Sequence, residues 1–256
     1  MGGVMIHSTV PFEHWIIDDF LPTEMAQAAR DHFHEGTGEW IKRHHLYSRN
    51  KQTRTAGLSE PAEQALQALE CPGMLAYVSA LTGIKGLHAD SMRFGGGQHV
   101  TTRGGSLGIH ADFTHHPQTG MRRALNVLLY LNECESGGLE LWDARVQQRK
   151  QLVMPKFNRA VIFKTSVTSF HGHPEPLAES ERLSLAVYYY IDTDSFIPSP
   201  CCKAPWHSVC GTCAADWDHD CKLKEYTGYL KTTDYRPRPW EYKLRLRKWL
   251  SKMVKG

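Results

Sequence analysis

The sequence predicts an α+β fold: a double-stranded β-helix (jelly roll) core with helices from the N-terminal part packed on one face. Three observations predict it. Up to Ile191, helical periodicity is confined to the residues before Asp90. From Asp90 onward, short apolar runs alternate with turn clusters, the pattern of a sandwich or barrel. A His-x-Asp triplet at His110 and a later histidine, His171, would be brought to one mouth by a jelly roll.

The elements follow in chain order. Val10 to Phe20 reads as a first strand. Leu21-Pro22-Thr23-Glu24 reads as a helix start, with Pro in the first turn and an acid nearby, and the helix is expected to reach about Phe33 and end near Gly36. A polar, basic stretch runs from Ile41 to Arg54. Two further helices are expected over Glu60 to Leu69 and Gly73 to Leu81, the second stopped by Gly83. Strands are then expected at Asp90 to Phe94, Ala124 to Leu131, Leu139 to Trp142, Ala160 to Phe163 and Leu183 to Ile191. Ser136-Gly137-Gly138, Pro155 to Asn158 and Gly172 to Pro176 form turns between them.

At 256 residues the chain can bury one sizeable core, and 41% hydrophobic residues place it among globular rather than disordered proteins. No run of eighteen apolar residues is present, so no transmembrane helix is expected. Met1 to Val10 lacks the layout of a signal peptide, and Ile6 stands where a myristoylation signal needs Ser or Thr. A cytoplasmic location is the expectation.

The chemistry concentrates in two stretches. His110-Ala111-Asp112 and Ser169-Phe170-His171 together supply two imidazoles and one carboxylate, the ligand set of a facial triad that holds non-haem Fe(II) and leaves positions open. A His-x-Asp triplet alone is weak, and the chain holds another at His88-Ala89-Asp90. Context favours His110. A glycine-rich approach, Gly104 to Ile109, precedes it, and the buried-strand run Ala124 to Leu131 follows. Asp90 reads instead as a turn or capping residue. His173 is a rival for the distal ligand, but it directly precedes Pro174, where a turn begins. His99, Thr101, Arg103, His115 and His116 flank the triplet, either shaping a pocket or lying in solvated loops.

With those residues in view, the chain resembles the Fe(II)- and 2-oxoglutarate-dependent oxygenases of the prolyl-4-hydroxylase-like superfamily. The resemblance is good over roughly Asp90 to Ile191 and looser over the helices. His110, Asp112 and His171 match the iron ligands. Arg123 with Leu128 to Asn132 matches the strand lining the oxo-acid pocket, Ser136 to Leu141 the Gly-Gly turn and its strand, and Asn158 to Phe163 the strand before the distal histidine. Arg182, eleven residues after His171, matches the basic residue that grips the far carboxylate of 2-oxoglutarate. The resemblance implies Fe(II) and 2-oxoglutarate as cofactors, Arg182, Tyr130, Ser184 and Asn126 as co-substrate-binding residues, and O2 as a further partner. A guanidinium suits a carboxylate because its planar fork donates two parallel hydrogen bonds. The implied reaction is prolyl-hydroxylase-like hydroxylation of an unactivated C–H bond, on a peptide or small molecule. Halogenases of this kind lack the carboxylate, so Asp112 favours hydroxylation.

The organisation expected is a single oxygenase domain. It has a helical N-terminal part over 1–85, a jelly-roll core over 86–200, a Cys-rich insert over 201–230 and a basic C-terminal helix over 235–256. Of seven cysteines, five fall between Cys201 and Cys221. Cys202, Cys210, Cys213 and Cys221 form a candidate structural zinc site, with free thiols and disulfides as alternatives. From Tyr235 to Gly256 eight Lys or Arg stand against one acid, a local +7 in a chain of net +3. Tyr242, Leu246, Trp249, Leu250 and Met253 share one helical face there, either docking on the barrel or meeting an acidic partner. The alternative from another class is a nucleic-acid-binding protein using this tail and the Cys-rich segment on a degenerate barrel. A cupin-like metal protein without oxygenase activity is a third, and Arg182 at its spacing argues against it.

Overall fold

The structure, a computed structural model, describes residues 3–45, 48–116 and 118–192. The cysteine cluster and the basic tail lie outside the described residues. Twelve strands join through hydrogen bonds, nine of them along one continuous path and β3, β4 and β5 branching from it, and the path folds around a core between its two halves. In chain order the elements are β1 (Met5–Ser8), β2 (His14–Ile17), α1 (Thr23–Asp31), β3 (Ile41–His45), β4 (Ser48–Arg54), α2 (Glu60–Glu70) and α3 (Pro72–Thr82). There follow β5 (His88–Ala89), β6 (Gly97–His110), β7 (Arg122–Tyr130), β8 (Leu139–Trp142), β9 (Arg149–Val153), β10 (Ala160–Lys164), β11 (His171–His173) and β12 (Glu181–Ile191).

The order β1-β2-β10-β7-β12-β6-β11-β8-β9 shows how β6 serves both sheets. One edge of β6 pairs with β12 over Gly97 to Thr102, then with β11 at Leu107 and His110. The handover occurs at Gly104-Gly105. Gly104 has φ +73°, a left-handed conformation that costs glycine nothing. A Cβ on Gly105 would lie 2.4 Å from Thr101 Cγ2 and 2.6 Å from the Thr102 carbonyl oxygen. Only a residue without a side chain lets the strand pass this point.

Strand alternation divides the core. Leu125, Val127 and Leu129 of β7 and Leu183, Leu185 and Val187 of β12 face outward, where they meet Ala26 and Ala29 of α1, Leu66 and Leu69 of α2 and Val78 of α3. On the opposite face Tyr130, Val161 and Phe163 meet Leu139, Leu141 and Val153 between the sheets. The helices start where the sequence chemistry says they should. The Ser59 hydroxyl accepts from the Ala62 amide before α2, the Cys71 sulfur accepts from the Met74 amide before α3, and Gly83 closes α3 at φ +72°.

Three expectations are corrected. Asp90 to Phe94 is a turn, not a strand: the Asp90 carboxylate accepts from the amides of Met92 and Phe94 and closes the loop on itself. The glycine-rich approach to His110 is the longest strand, held because both of its edges are paired. The basic stretch 41–54 is the β3–β4 hairpin, which lays β4 along the free edge of β6. The region 1–85 therefore contributes four strands besides its helices. Among the described residues, no helix is long and apolar enough to cross a membrane.

The bend in β6 yields a test. Gly105→Ala forces a methyl group against Thr101 and the Thr102 carbonyl, a clash expected to cost about 1–3 kcal/mol. Urea unfolding should show a lower midpoint at unchanged slope. A midpoint equal to the parent's would contradict the close approach described.

Candidate active site

The sheets open onto a cavity of about 380 Å³. At its inner end His110, Asp112 and His171 present ligand atoms that all lie within 4.8 Å of one another. The backbone explains the meeting. His110 ends β6 and His171 begins β11, and the two residues face each other in register. Their rings consequently lie 4.5 Å apart, centroid to centroid. Asp112 follows the end of β6 by two residues and turns back, its Oδ1 3.5 Å from His110 Nε2 and its Oδ2 3.5 Å from His171 Nε2.

Each imidazole is oriented from behind. His110 Nδ1 lies 2.9 Å from the Gly108 carbonyl oxygen and His171 Nδ1 lies 2.9 Å from that of Ser169. A carbonyl can only accept, so Nδ1 carries the proton in both rings and Nε2 keeps its lone pair for the cavity. Asp112 is oriented too. Its Oδ2 accepts from Arg123 Nη2 at 3.2 Å and from the Asn126 amide, and Arg123 Nε donates to Asn126 Oδ1 at 2.7 Å. Burial works against a charged carboxylate here. The guanidinium of Arg123 and the two imidazoles overcome it and hold Asp112 well below the usual carboxylate range. Arg123 is itself buried between aromatic rings, 4.6 Å from the centroid of Phe113 and 3.2 Å from that of Tyr188.

The far side of the cavity is built differently. Arg182 and Ser184 of β12 line it, with Ser48, Lys51 and Thr53 of β4. Arg182 is 4% exposed, and among the described residues no carboxylate pairs with it. Its Nη1 donates to the Gly137 carbonyl oxygen, its Nε has no partner, and burial lowers its pKa. Beside it lies Tyr130, with the guanidinium carbon 5.6 Å from the ring centroid and the phenol oxygen fully buried and unpartnered. His173 lines the same cavity, also with both ring nitrogens buried and unpartnered.

The residues singled out from sequence thus fall into three groups. His110, Asp112 and His171 converge, and Arg182, Ser184 and Asn126 line the same cavity, with Tyr130 packed behind. Asn126, expected to bind co-substrate, has its amide engaged with Asp112 and Arg123. His88 and Asp90 sit elsewhere: His88 lies 3.2 Å from Asp192, and Asp90 lies 3.3 Å from His116. Of the flanking residues, His99 lines the cavity, with its Nε2 3.0 Å from the Gly95 carbonyl oxygen. Sequence reasoning missed the link from Arg123 to Asp112 and the contribution of β4. The only signal for the first was a charged residue inside an apolar strand. For the second it was an acid-free run of basic and hydroxyl residues.

The donor set fits Fe(II). Three hard or borderline ligands converge from one side, and the rest of the coordination sphere opens on the cavity. The other end fits a dicarboxylate, since a buried guanidinium and a buried phenol lack the partners their burial demands.

The buried imidazoles make stability depend on pH. Burial outweighs Asp112 and holds His171 down to about 4, and burial also pushes His14 and His173 below the ordinary histidine value. An unfolded histidine takes a proton near pH 6.5, so below that the unfolded chain binds more protons than the folded one. Metal-free protein should therefore keep its full histidine contribution above about pH 6.5 and lose it progressively toward about pH 4. Denaturant midpoints measured across that window should fall steadily. A flat profile would mean these rings are already protonated in the fold.

Residues 96–190 match the sequence model of the family described as the 2OG-Fe(II) oxygenase superfamily. No curated protein matches the chain in sequence. Among solved structures, a prolyl-4-hydroxylase of Pseudomonas putida superposes with a TM-score of 0.51 at 19% identity, covering 70% of this chain and 93% of that one. HygX of Streptomyces hygroscopicus, solved with nickel and 2-oxoglutarate bound, superposes with a TM-score of 0.55 at 11% identity, covering 82% and 94%. At such identities the two structures establish the shared jelly-roll fold. The family match spans β6 through β12 and takes in His110, Asp112 and His171, so the similarity to the 2OG-Fe(II) oxygenase superfamily covers the stretch that builds the site.

Proposed function

We propose that this protein is an Fe(II)- and 2-oxoglutarate-dependent dioxygenase that hydroxylates an unactivated C–H bond. One observation carries the reading. A single cavity holds two imidazoles and a carboxylate converging at one end, and at the other a buried Arg182 with no carboxylate partner among the described residues. The first suits a metal, and the second suits the far end of a dicarboxylic oxo-acid.

Bound iron with 2-oxoglutarate supplies oxidative decarboxylation coupled to oxygen insertion into a C–H bond. The chain's own residues prepare that chemistry. Nε2 of His110 and of His171, with one oxygen of Asp112, would hold the metal. The carbonyls of Gly108 and Ser169 fix both ring planes, so the ligands need not reorganise on binding. Arg123 and Asn126 keep Asp112 ionised and aimed. Arg182 would take the far carboxylate through its fork, with the Tyr130 hydroxyl donating beside it and Ser184 within reach of the same space. Phe113, Phe94 and Tyr188 wall the open side and would exclude water around the substrate. The substrate proposed is a prolyl or other unactivated carbon of a peptide or small molecule. A screen for substrate-stimulated succinate formation would identify it. A cytoplasmic location and an acidic partner for the basic tail remain proposals from sequence.

Anaerobic titration tests the site. Fe(II) and 2-oxoglutarate together should give a weak charge-transfer band near roughly 500 nm that neither gives alone. Asp112→Ala should abolish the band and succinate formation while circular dichroism stays unchanged. Arg182→Lys keeps the charge and loses the fork. It should raise the 2-oxoglutarate requirement by about ten- to a hundredfold and leave the iron requirement nearly unchanged. Equal effects on both would refute the assignment of Arg182.

The cysteines call for a separate measurement. Cys202, Cys210, Cys213 and Cys221 are proposed, on spacing alone, to hold one zinc apart from the iron site. Elemental analysis should find about one zinc per chain, lost in a Cys210→Ser, Cys213→Ser double variant that still binds iron. Absence of zinc from the parent protein would end the idea.

A further inference from the structure

His173 is a second histidine on β11, two residues after His171, so strand alternation sends both rings toward the cavity. It takes no part in the converging metal cluster, which consists of His110, Asp112 and His171. It is 1% exposed, and neither ring nitrogen has a partner. A neutral imidazole always presents one N–H donor and one acceptor, and leaving such groups unpaired in a dry site is unfavourable. Burial of this kind needs either an apolar replacement or a ligand that pairs with the ring.

Its surroundings indicate which ligand. Arg182 and Lys51 line the same cavity as His173 and bring positive charge to bear on it. Two permanent cations on that side leave an N–H of His173 pointing into a region that can only favour an anion. Of the other unpaired groups there, Arg182 Nε can only donate, and the hydroxyls of Tyr130 and Ser48 can donate as well. Donor groups from three strands, β7, β11 and β12, thus stand without an acceptor partner among the described residues.

Resting on the dioxygenase reading above, we propose that His173 is a specificity-determining residue for the oxo-acid. Its ring N–H donates to the far carboxylate and completes a socket with Arg182 and Tyr130. The socket selects a five-carbon dicarboxylic oxo-acid over monocarboxylic oxo-acids by the number of donors that would otherwise stay unpaired. His171, two residues earlier on the same face, serves the metal, so this short strand addresses both ends of the co-substrate.

The test uses the Fe(II)-loaded full chain under anaerobic conditions. The visible band is titrated with 2-oxoglutarate and with 2-oxopentanoate, which has the same keto-acid end and no far carboxylate. His173→Leu should weaken 2-oxoglutarate about tenfold or more and leave 2-oxopentanoate and Fe(II) affinity unchanged. His173→Gln, which keeps an N–H donor, should recover most of the loss. Equal weakening of both oxo-acids would reduce His173 to a packing residue, and unchanged 2-oxoglutarate affinity would mean the ring pairs with water only. Should the Leu variant not fold, nitrogen-15 histidine spectra of Zn(II)-loaded parent protein decide. The His173 N–H resonance should shift on adding 2-oxoglutarate and not on adding 2-oxopentanoate, and identical spectra overturn the proposal. A parent protein that gives no band with either oxo-acid overturns the dioxygenase reading itself, and the socket with it.

Discussion

The site depends on one strand having to belong to two sheets. β6 hands one edge from β12 to β11 at Gly104-Gly105, and the two sheets separate around that point. The backbone between the sheets is not left bare. The Arg103 amide donates to the Ser180 carbonyl and the Gly104 amide to that of Leu177, while the Leu177 amide donates to the Gly105 carbonyl. The turn before β12 therefore seals the handover, and the strand emerges in fixed register with β11. That register sets His110 opposite His171. The convergence of His110 and His171 is thus a property of sheet pairing before it is a property of side chains.

The cavity treats its two buried guanidinium groups in opposite ways. Arg123 is paired with Asp112, hydrogen-bonded to Asn126 and enclosed by aromatic rings, so its charge is spent inside the protein. Arg182 has a backbone carbonyl and little else. A buried charge without a partner lowers stability, whereas a paired one is nearly neutral in effect. Stability forgone at Arg182 becomes available as binding free energy when an anion enters. The first arginine organises and the second waits, though each sits in a strand of mostly apolar residues.

The sequence made the converging residues legible because their chemistry is local. A His-x-Asp triplet, a later histidine and an arginine eleven residues on are all visible without coordinates. Helix boundaries were legible for the same reason: Ser59, Pro61, Pro72 and Gly83 act within one turn of their positions. β6 and the β3–β4 hairpin were not legible. Gly97, Gly104, Gly105 and Gly108 depress strand propensity, and β4 has almost no apolar alternation. Both are strands because neighbours pair their edges, a non-local cause that leaves no periodic trace. The bond from Asn126 to Asp112 was hidden on similar grounds, since its polar character was visible and its partner, fourteen residues away, was not.

The clamp on Asp112 bears on how such a protein can change over generations. Replacing Asp112 with a small residue would expose an orphaned guanidinium to the metal-side space, held in place by Phe113, Tyr188 and Asn126. The vacated volume would then be lined by a cation and an amide, a setting that attracts a small anion such as chloride rather than one that stays empty. Loss of Arg123 first would instead strand a buried carboxylate and weaken the metal's hold before anything was gained. The two routes to a carboxylate-free site are therefore unequal, and the passable lineage removes the acid before the base.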